Sequence, residues 1–208
     1  MAAPDWTRTS PWRGAVPPPP ASELPVVVGI SGASGAMLAR ATLTRLLGRG
    51  ERCEVVLSRP AYEVWRDEIG GELEEGLAAL AADSGPGAAE RLTVYAPDRF
   101  NVLPASGSHR TRGMVVVPCS MTTAGGLANG AGDDVLKRCA DVCIKESRRL
   151  VLVPRESPMS AIHLRNLATL AELGVRIVVP IPPFYRRPST LDEAVEQIVD
   201  RVMQQLYD

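Results

Sequence analysis

The chain has 208 residues, 45% of them apolar and 23% charged, with 23 basic and 24 acidic side chains and a net charge of −1. A body of this size can bury roughly 70% of its unfolded surface without disulfides or metals, and its charge balance excludes a nucleic-acid-binding surface spread over the whole molecule while leaving a local phosphate pocket open. No run approaches the ~20 apolar residues of a membrane span, no CxxC or HExxH occurs, and four cysteines without a metal-ligand spacing suit a reducing cytoplasm.

Residues 1–24 stand apart. Seven of the 18 prolines fall within residues 1–25, four of them in Pro17–Pro20. The segment lacks the apolar core of a signal peptide and reads as a disordered or polyproline-like extension, which leaves residues 25–208 as one domain. From Pro25 onward short apolar runs alternate with helical patterns. Strands are expected at Val26–Ile30, Glu54–Leu57, Leu92–Tyr95, Met114–Pro118, Leu150–Pro154 and Arg176–Val179. The valine runs Val26–Val28 and Val115–Val117 lack in/out alternation, so both faces should be buried, as in a parallel sheet. Helices are expected at Gly35–Leu47, Pro60–Glu68, Asp134–Glu146, Ser160–Leu173 and Asp192–Leu206, with Ser160 as an N-cap and Gly174 as a C-terminal stop. Strand–helix alternation of this kind means an α/β fold with a doubly wound, mostly parallel sheet and helices on both faces.

Ligands of such sheets bind beyond the carboxyl ends of the strands. Ser31-Gly32-Ala33-Ser34-Gly35 follows the first strand, Ser58 the second, and Cys119-Ser120 with Thr122-Thr123 the fourth. Arg155-Glu156 follows the fifth, and Phe184-Tyr185 the last. The first loop is neither GxGxxG nor GxxxxGK[ST], and Ser58-Arg59 stands where a nicotinamide site wants an acid. Two readings remain open for it: small residues that let backbone N–H groups and a helix N-terminus meet an anion, or a tight packing turn. On the helix Asp134–Glu146, Arg138 and Lys145 lie seven apart, about 10 Å along one side, with Asp141 between them. This is either a solvated face with an internal ion pair or a two-cation grip on phosphate. Glu156 beside Arg155 is either a structural ion pair or a proton-transfer group. Cys139 and Cys143 fit core packing, and His109 and His163 read as solvent-facing or capping residues.

Gly32-Ala33-Ser34-Gly35-Ala36, Ala105-Ser106-Gly107-Ser108, Pro118-Cys119-Ser120-Met121-Thr122-Thr123, Ala140-Asp141-Val142-x-x-Lys145-Glu146, Leu152-Val153-Pro154-Arg155-Glu156 and Ile162-His163-Leu164 occur in this order. Together they resemble the flavin prenyltransferases, the UbiX-like family, from about Val26 to Leu206. The resemblance implies a Rossmann-like, flavoprotein-type subunit that binds FMN and assembles into a homo-oligomer, commonly a dodecamer. It implies metal-independent transfer of a dimethylallyl group from dimethylallyl monophosphate to N5 and C6 of reduced FMN. The prenylated FMN then passes to a UbiD-like decarboxylase. By similarity, Gly32, Ala33, Ser34, Ser58, Ser120, Met121, Thr122, Thr123 and Arg155 match flavin-contacting positions. Arg138, Lys145, Tyr185 and Arg201 match positions that hold the donor phosphate, drawn from more than one subunit. Glu156 matches the acid/base position, and Ser34 lies beside the reacting flavin edge.

Within that pattern Ser31 stands where threonine is frequent, His109 where phenylalanine or a small residue is usual, and Phe100 where relatives can carry tryptophan. An FMN-dependent cysteine decarboxylase of the same fold would want an active histidine and a Pro-x-Met-Asn-type motif, of which Pro158-Met159-Ser160 is the nearest approach and lacks the Asn. A non-catalytic flavin-binding accessory subunit would have no use for Glu156 and a full phosphate set.

Overall fold

A computed structural model describes residues 23–208; the proline-rich extension expected over 1–24 lies outside the described residues as far as position 22. Six strands, β1 (Val26–Ile30), β2 (Cys53–Leu57), β3 (Leu92–Tyr95), β4 (Gly113–Cys119), β5 (Leu150–Pro154) and β6 (Arg176–Ile177), form one parallel sheet in the order β3-β2-β1-β4-β5-β6. Every residue of β1, β2, β4 and β5 is buried, as the valine runs require of strands covered on both faces. The edge strands β3 and β6 are more open, and β6 is two residues long where four were expected.

The helices are α1 (Ala36–Gly48), α2 (Pro60–Glu68), α3 (Leu73–Asp83), α4 (Met121–Ala128), α5 (Val135–Lys145), α6 (Ala161–Glu172) and α7 (Leu191–Tyr207). They divide between the two faces of the sheet. Val26, Val28, Val55, Val115 and Val151 pack against α1, α2, α3 and α7. Val27, Val56, Met114, Val116 and Leu152 pack against α4, α5 and α6. Side-chain caps fix the start of several helices. Asp134 accepts from the Lys137 N–H at 2.7 Å, and Thr190 from Glu193 N–H at 3.1 Å. Ser160 accepts from His163 N–H at 3.2 Å, while the Ser160 N–H donates to His163 Nδ1 at 3.3 Å. His163 is therefore the capping residue expected.

Two helices were not anticipated. Gly70-Gly71 reads as a stop, yet α3 begins directly after it, and its Leu73, Leu77, Leu80 and Ala81 are buried at helical spacing. The sequence of α4 contains Gly125-Gly126 and looks like loop; it is helical because Ser120 caps it, its hydroxyl accepting from the Thr123 N–H at 3.1 Å, and because Met121, Ala124 and Leu127 are buried. Cys139 and Cys143 are core residues, 1% and 3% exposed.

Candidate functional site

The chain order of the strands reverses between β1 and β4, and there the loops after neighbouring strands diverge and open a crevice. Ser31 ties its two sides together. Its hydroxyl donates to the Pro118 carbonyl at 2.9 Å and accepts from the Ser120 N–H at 2.7 Å. The glycines of the first loop serve packing first. A Cβ on Gly32 would lie 2.2 Å from Pro60 Cβ, and Gly35 holds φ +119°, which strains any other L-residue. The packing reading therefore holds for these two, but the loop also faces a cavity of about 450 Å³. Gly32 and Ala33 line it from the first loop, Ser120, Met121 and Thr122 from the start of α4, Arg155 and Glu156 from the end of β5, and Ile162, His163 and Asn166 from α6.

The expectation that the N-terminus of α1 receives a ligand anion is corrected by Glu68. Its carboxylate accepts from the Gly35 N–H at 2.9 Å and the Ala36 N–H at 2.8 Å, so the protein's own anion fills that end of the dipole. Burial pushes the Glu68 carboxyl up, but bonds from Ser34, Gly35 and Ala36 and the charge of Arg155 outweigh it and hold it below the ordinary glutamate value. Nothing in the sequence singles out Glu68, at the last position of α2. The helix start that faces the cavity is that of α4, capped at Thr123 by Ser120, with its first-turn residues Met121 and Thr122 on the cavity wall.

Arg155 bridges the crevice: its Nε donates to the Ser34 carbonyl at 3.3 Å. Glu156 is only loosely tied to it, at 4.0 Å, with both side chains partly exposed, an arrangement that adds little stability. A Glu156 oxygen also accepts from the Ser157 N–H at 3.1 Å. Ser34 is exposed in its loop, Thr123 is buried with its hydroxyl 2.9 Å from that of Ser120, and Ser58 is 6% exposed. The Ser58 hydroxyl is buried beside the first loop without a partner in the protein. The backbone N–H groups that open α4, Ser120 and the Arg155 guanidinium, set among Ala33, Met121 and Ile162, suit a planar, polar-edged heterocycle carrying a phosphate. The residues present therefore fit FMN. Cys119, in the same motif, is no nucleophile: burial pushes its thiol up to about 12.

The four expected phosphate-holding residues do not come together in one chain. Arg138 and Lys145 are on α5, on one face of the sheet; Arg201 is on α7, on the other. Arg138 pairs with Asp141 at 3.2 Å and Lys145 with Glu146, so the ion-pair reading of that face holds in the single chain, with each cation still more than 40% exposed. Tyr185 and Arg201 share a separate groove of about 470 Å³ between the segment after β6 and α7. Of the histidines, His163 lines the cavity while capping α6. His109, expected to face solvent or cap, instead binds the buried Glu54.

The family model described as Flavoprotein matches residues 18–206. A protein of Synechocystis sp. named flavin prenyltransferase UbiX is 42% identical over 186 residues, 88% of this chain and 90% of its own. The chain belongs to the UbiX-like flavin prenyltransferases. Among solved structures, a dodecameric FMN-dependent UbiX-like decarboxylase from Escherichia coli O157:H7 is 39% identical, with a TM-score of 0.79 over 88% of this chain and 94% of its own. AnUbiX (PadA1), solved with FMN and dimethylallyl pyrophosphate, is 35% identical, with a TM-score of 0.80 over 88% and 92%. The FMN-dependent cysteine decarboxylase TvaF, 17% identical with a TM-score of 0.60, shares the fold alone. This UbiX-like chain thus places its flavoprotein motifs around the β1/β4 crevice and spreads its cationic motif residues over two faces.

Proposed function

We propose that this protein is a flavin prenyltransferase that joins a dimethylallyl group to N5 and C6 of reduced FMN. The observation that carries the reading is the crevice itself: one cavity gathers Gly32, Ala33, Ser120, Met121, Thr122 and Arg155 and sets Glu156 on its wall. Gly32, Ala33, Ser34, Ser58, Ser120–Thr123 and Arg155 hold the flavin; bound reduced FMN supplies the nucleophilic ring edge and a π-rich face. The donor is dimethylallyl monophosphate, held by Arg138, Lys145, Tyr185 and Arg201. As the allylic C–O bond breaks, negative charge collects on the phosphate, and the three cations stabilise it while Tyr185 donates a hydrogen bond. Ring closure adds the flavin C6–H across the prenyl double bond: the alkene takes up a proton as the C6–carbon bond forms, and the Glu156 carboxylate accepts the proton that C6 gives up, while Ser34 lies beside the reacting flavin edge.

Because α5 and α7 lie on opposite faces of the sheet, the phosphate grip is completed across subunits of a homo-oligomer; the Escherichia coli O157:H7 relative is a dodecamer. Val179, Ile181, Phe184, Tyr185 and Leu191 support this, since each is 43% exposed or more along one short segment of chain, an apolar patch of the kind that marks an interface. The product goes to a UbiD-like decarboxylase. Among the described residues no helix is long and apolar enough to cross a membrane, and four buried thiols suit a cytoplasmic setting.

The test is anaerobic incubation of the pure protein with reduced FMN and either dimethylallyl monophosphate or the pyrophosphate, followed by mass measurement of the extracted flavin. The reading expects a prenylated flavin, formed faster from the monophosphate. Unmodified flavin from a protein that binds FMN would overturn it.

A further inference from the structure

Glu54 is a carboxylate in the interior strand β2, 7% exposed, pointing to the same side of the sheet as Val56 and therefore toward α5. A charge placed there needs a partner. It has one: His109 Nε2 lies 2.9 and 3.1 Å from its two oxygens. Tyr95 of β3 and Cys139 of α5 complete the surroundings. Both are pushed up, first by burial; the Glu54 carboxylate adds to this in each. No arginine or lysine side chain bonds Glu54 among the described residues.

His109 ends a turn that is held at further points. The Arg148 guanidinium donates to the His109 carbonyl at 2.7 Å and to the Gly107 carbonyl, and the hydroxyls of Ser106 and Ser108 are 2.9 Å apart. The turn presses on the end of α5. A Cβ on Gly107 would lie 2.5 Å from Glu146 Oε1 and 2.9 Å from Lys145 Nζ, so the turn lies directly against the charged ends of these two side chains. The sheet thus fixes Glu54, Glu54 fixes His109, and the His109 turn forms the wall against which the Lys145–Glu146 pair rests.

We propose that Glu54 and His109 are positioning residues that set the place of the Lys145 ammonium, and through it the grip on the phosphate of the prenyl donor. The link to the donor rests on the function proposed above; the link to the turn does not. Without the imidazole anchor, Arg148 is the one side chain from outside the Ser106–His109 turn that still bonds it among the described residues, and Lys145 loses a firm backstop.

The experiment compares wild type with His109→Ala, His109→Gln and Glu54→Gln. The glutamine at 109 keeps an N–H donor for Glu54; the glutamine at 54 keeps the shape of the acceptor, which guards against His109→Ala simply failing to fold. Donor affinity is measured by calorimetry on protein loaded with oxidised FMN, turnover by donor KM and kcat, and the turn by amide hydrogen exchange at residues 106–109. In His109→Ala the account expects donor affinity about tenfold weaker, the loss of one hydrogen bond to a charged group. It also expects KM raised in step with kcat little changed, faster exchange at 106–109 and unaltered FMN affinity. His109→Gln should recover most of the donor affinity, and Glu54→Gln should fall between. Unchanged donor affinity and exchange in His109→Ala would overturn the proposal, as would a loss of melting temperature that His109→Gln restores without restoring donor affinity. A wild-type protein that makes no prenylated flavin would overturn the proposed function instead, leaving the exchange and calorimetric readings to decide the role of the pair.

Discussion

The crevice between β1 and β4 and the cation-bearing surfaces of α5 and α7, joined in the proposed catalytic scheme, are built in opposite ways. The crevice is finished by a single chain. Ser31 bonds both flanking loops, Arg155 reaches the Ser34 carbonyl, and Glu68 occupies the start of α1. The cations are unfinished. Arg138 and Lys145 rest on neighbouring acids and Arg201 on Gln204 at 2.5 Å, on two faces separated by the sheet. The difference teaches that folding alone shapes the crevice proposed for the flavin, whereas the proposed phosphate grip from these residues requires assembly. A site completed only in the oligomer meets its substrate already walled from water, which favours a step that passes through allylic cation character.

The greatest expected effect tests the meeting point of the two regions. Glu156→Gln should lower turnover about 10²–10⁴-fold, the usual worth of a positioned acid/base group, while melting temperature and FMN affinity stay put because the contact to Arg155 is 4.0 Å and partly exposed. A fall in melting temperature with turnover intact would make Glu156 a structural partner. Next, Lys145→Ala or Arg138→Ala should cut kcat/KM for the donor about 10²-fold and leave FMN affinity unchanged; parallel loss of both ligands would erase the division between the regions. Gly32→Ala should do the reverse, weakening FMN binding and lowering stability by about 1–3 kcal/mol through overpacking against Pro60, measured by flavin titration and denaturant unfolding. The smallest effect is on pH. The lowered Glu68 carboxyl contributes stability fully above the unfolded glutamate value of about 4.3, and that contribution disappears as pH falls through its lower folded value. Wild type should therefore lose more stability than Glu68→Gln across that acid window, modestly, because the group is exposed.

Local patterns made much of this legible. The valine runs gave away the doubly buried strands, Ser160 and Gly174 bounded α6 as expected, and the residues after β1, β4 and β5 marked the crevice. What stayed hidden was non-local. Glu68 is one acid among several on an exposed helix, and only folding brings it to Gly35, 33 positions away. Glu54 is only the first residue of an expected strand until β2 proves to be interior and His109, 55 positions on, comes to meet it. The seven-residue spacing of Arg138 and Lys145 was plain, but their separation from Arg201 depends on which face of the sheet each helix covers, a property of strand order that no short motif carries.

The account's central claim, that residues from different subunits complete one phosphate grip, is tested most directly by mixing two defective proteins. Lys145→Ala and Arg201→Ala should each be nearly inactive as homo-oligomers. Co-expressed with separate tags and purified as mixed oligomers, they should recover activity, because random mixing returns both native residues to about a quarter of the shared sites. Mixed oligomers no more active than either parent would contradict the claim and return Lys145 and Arg201 to a site within one chain.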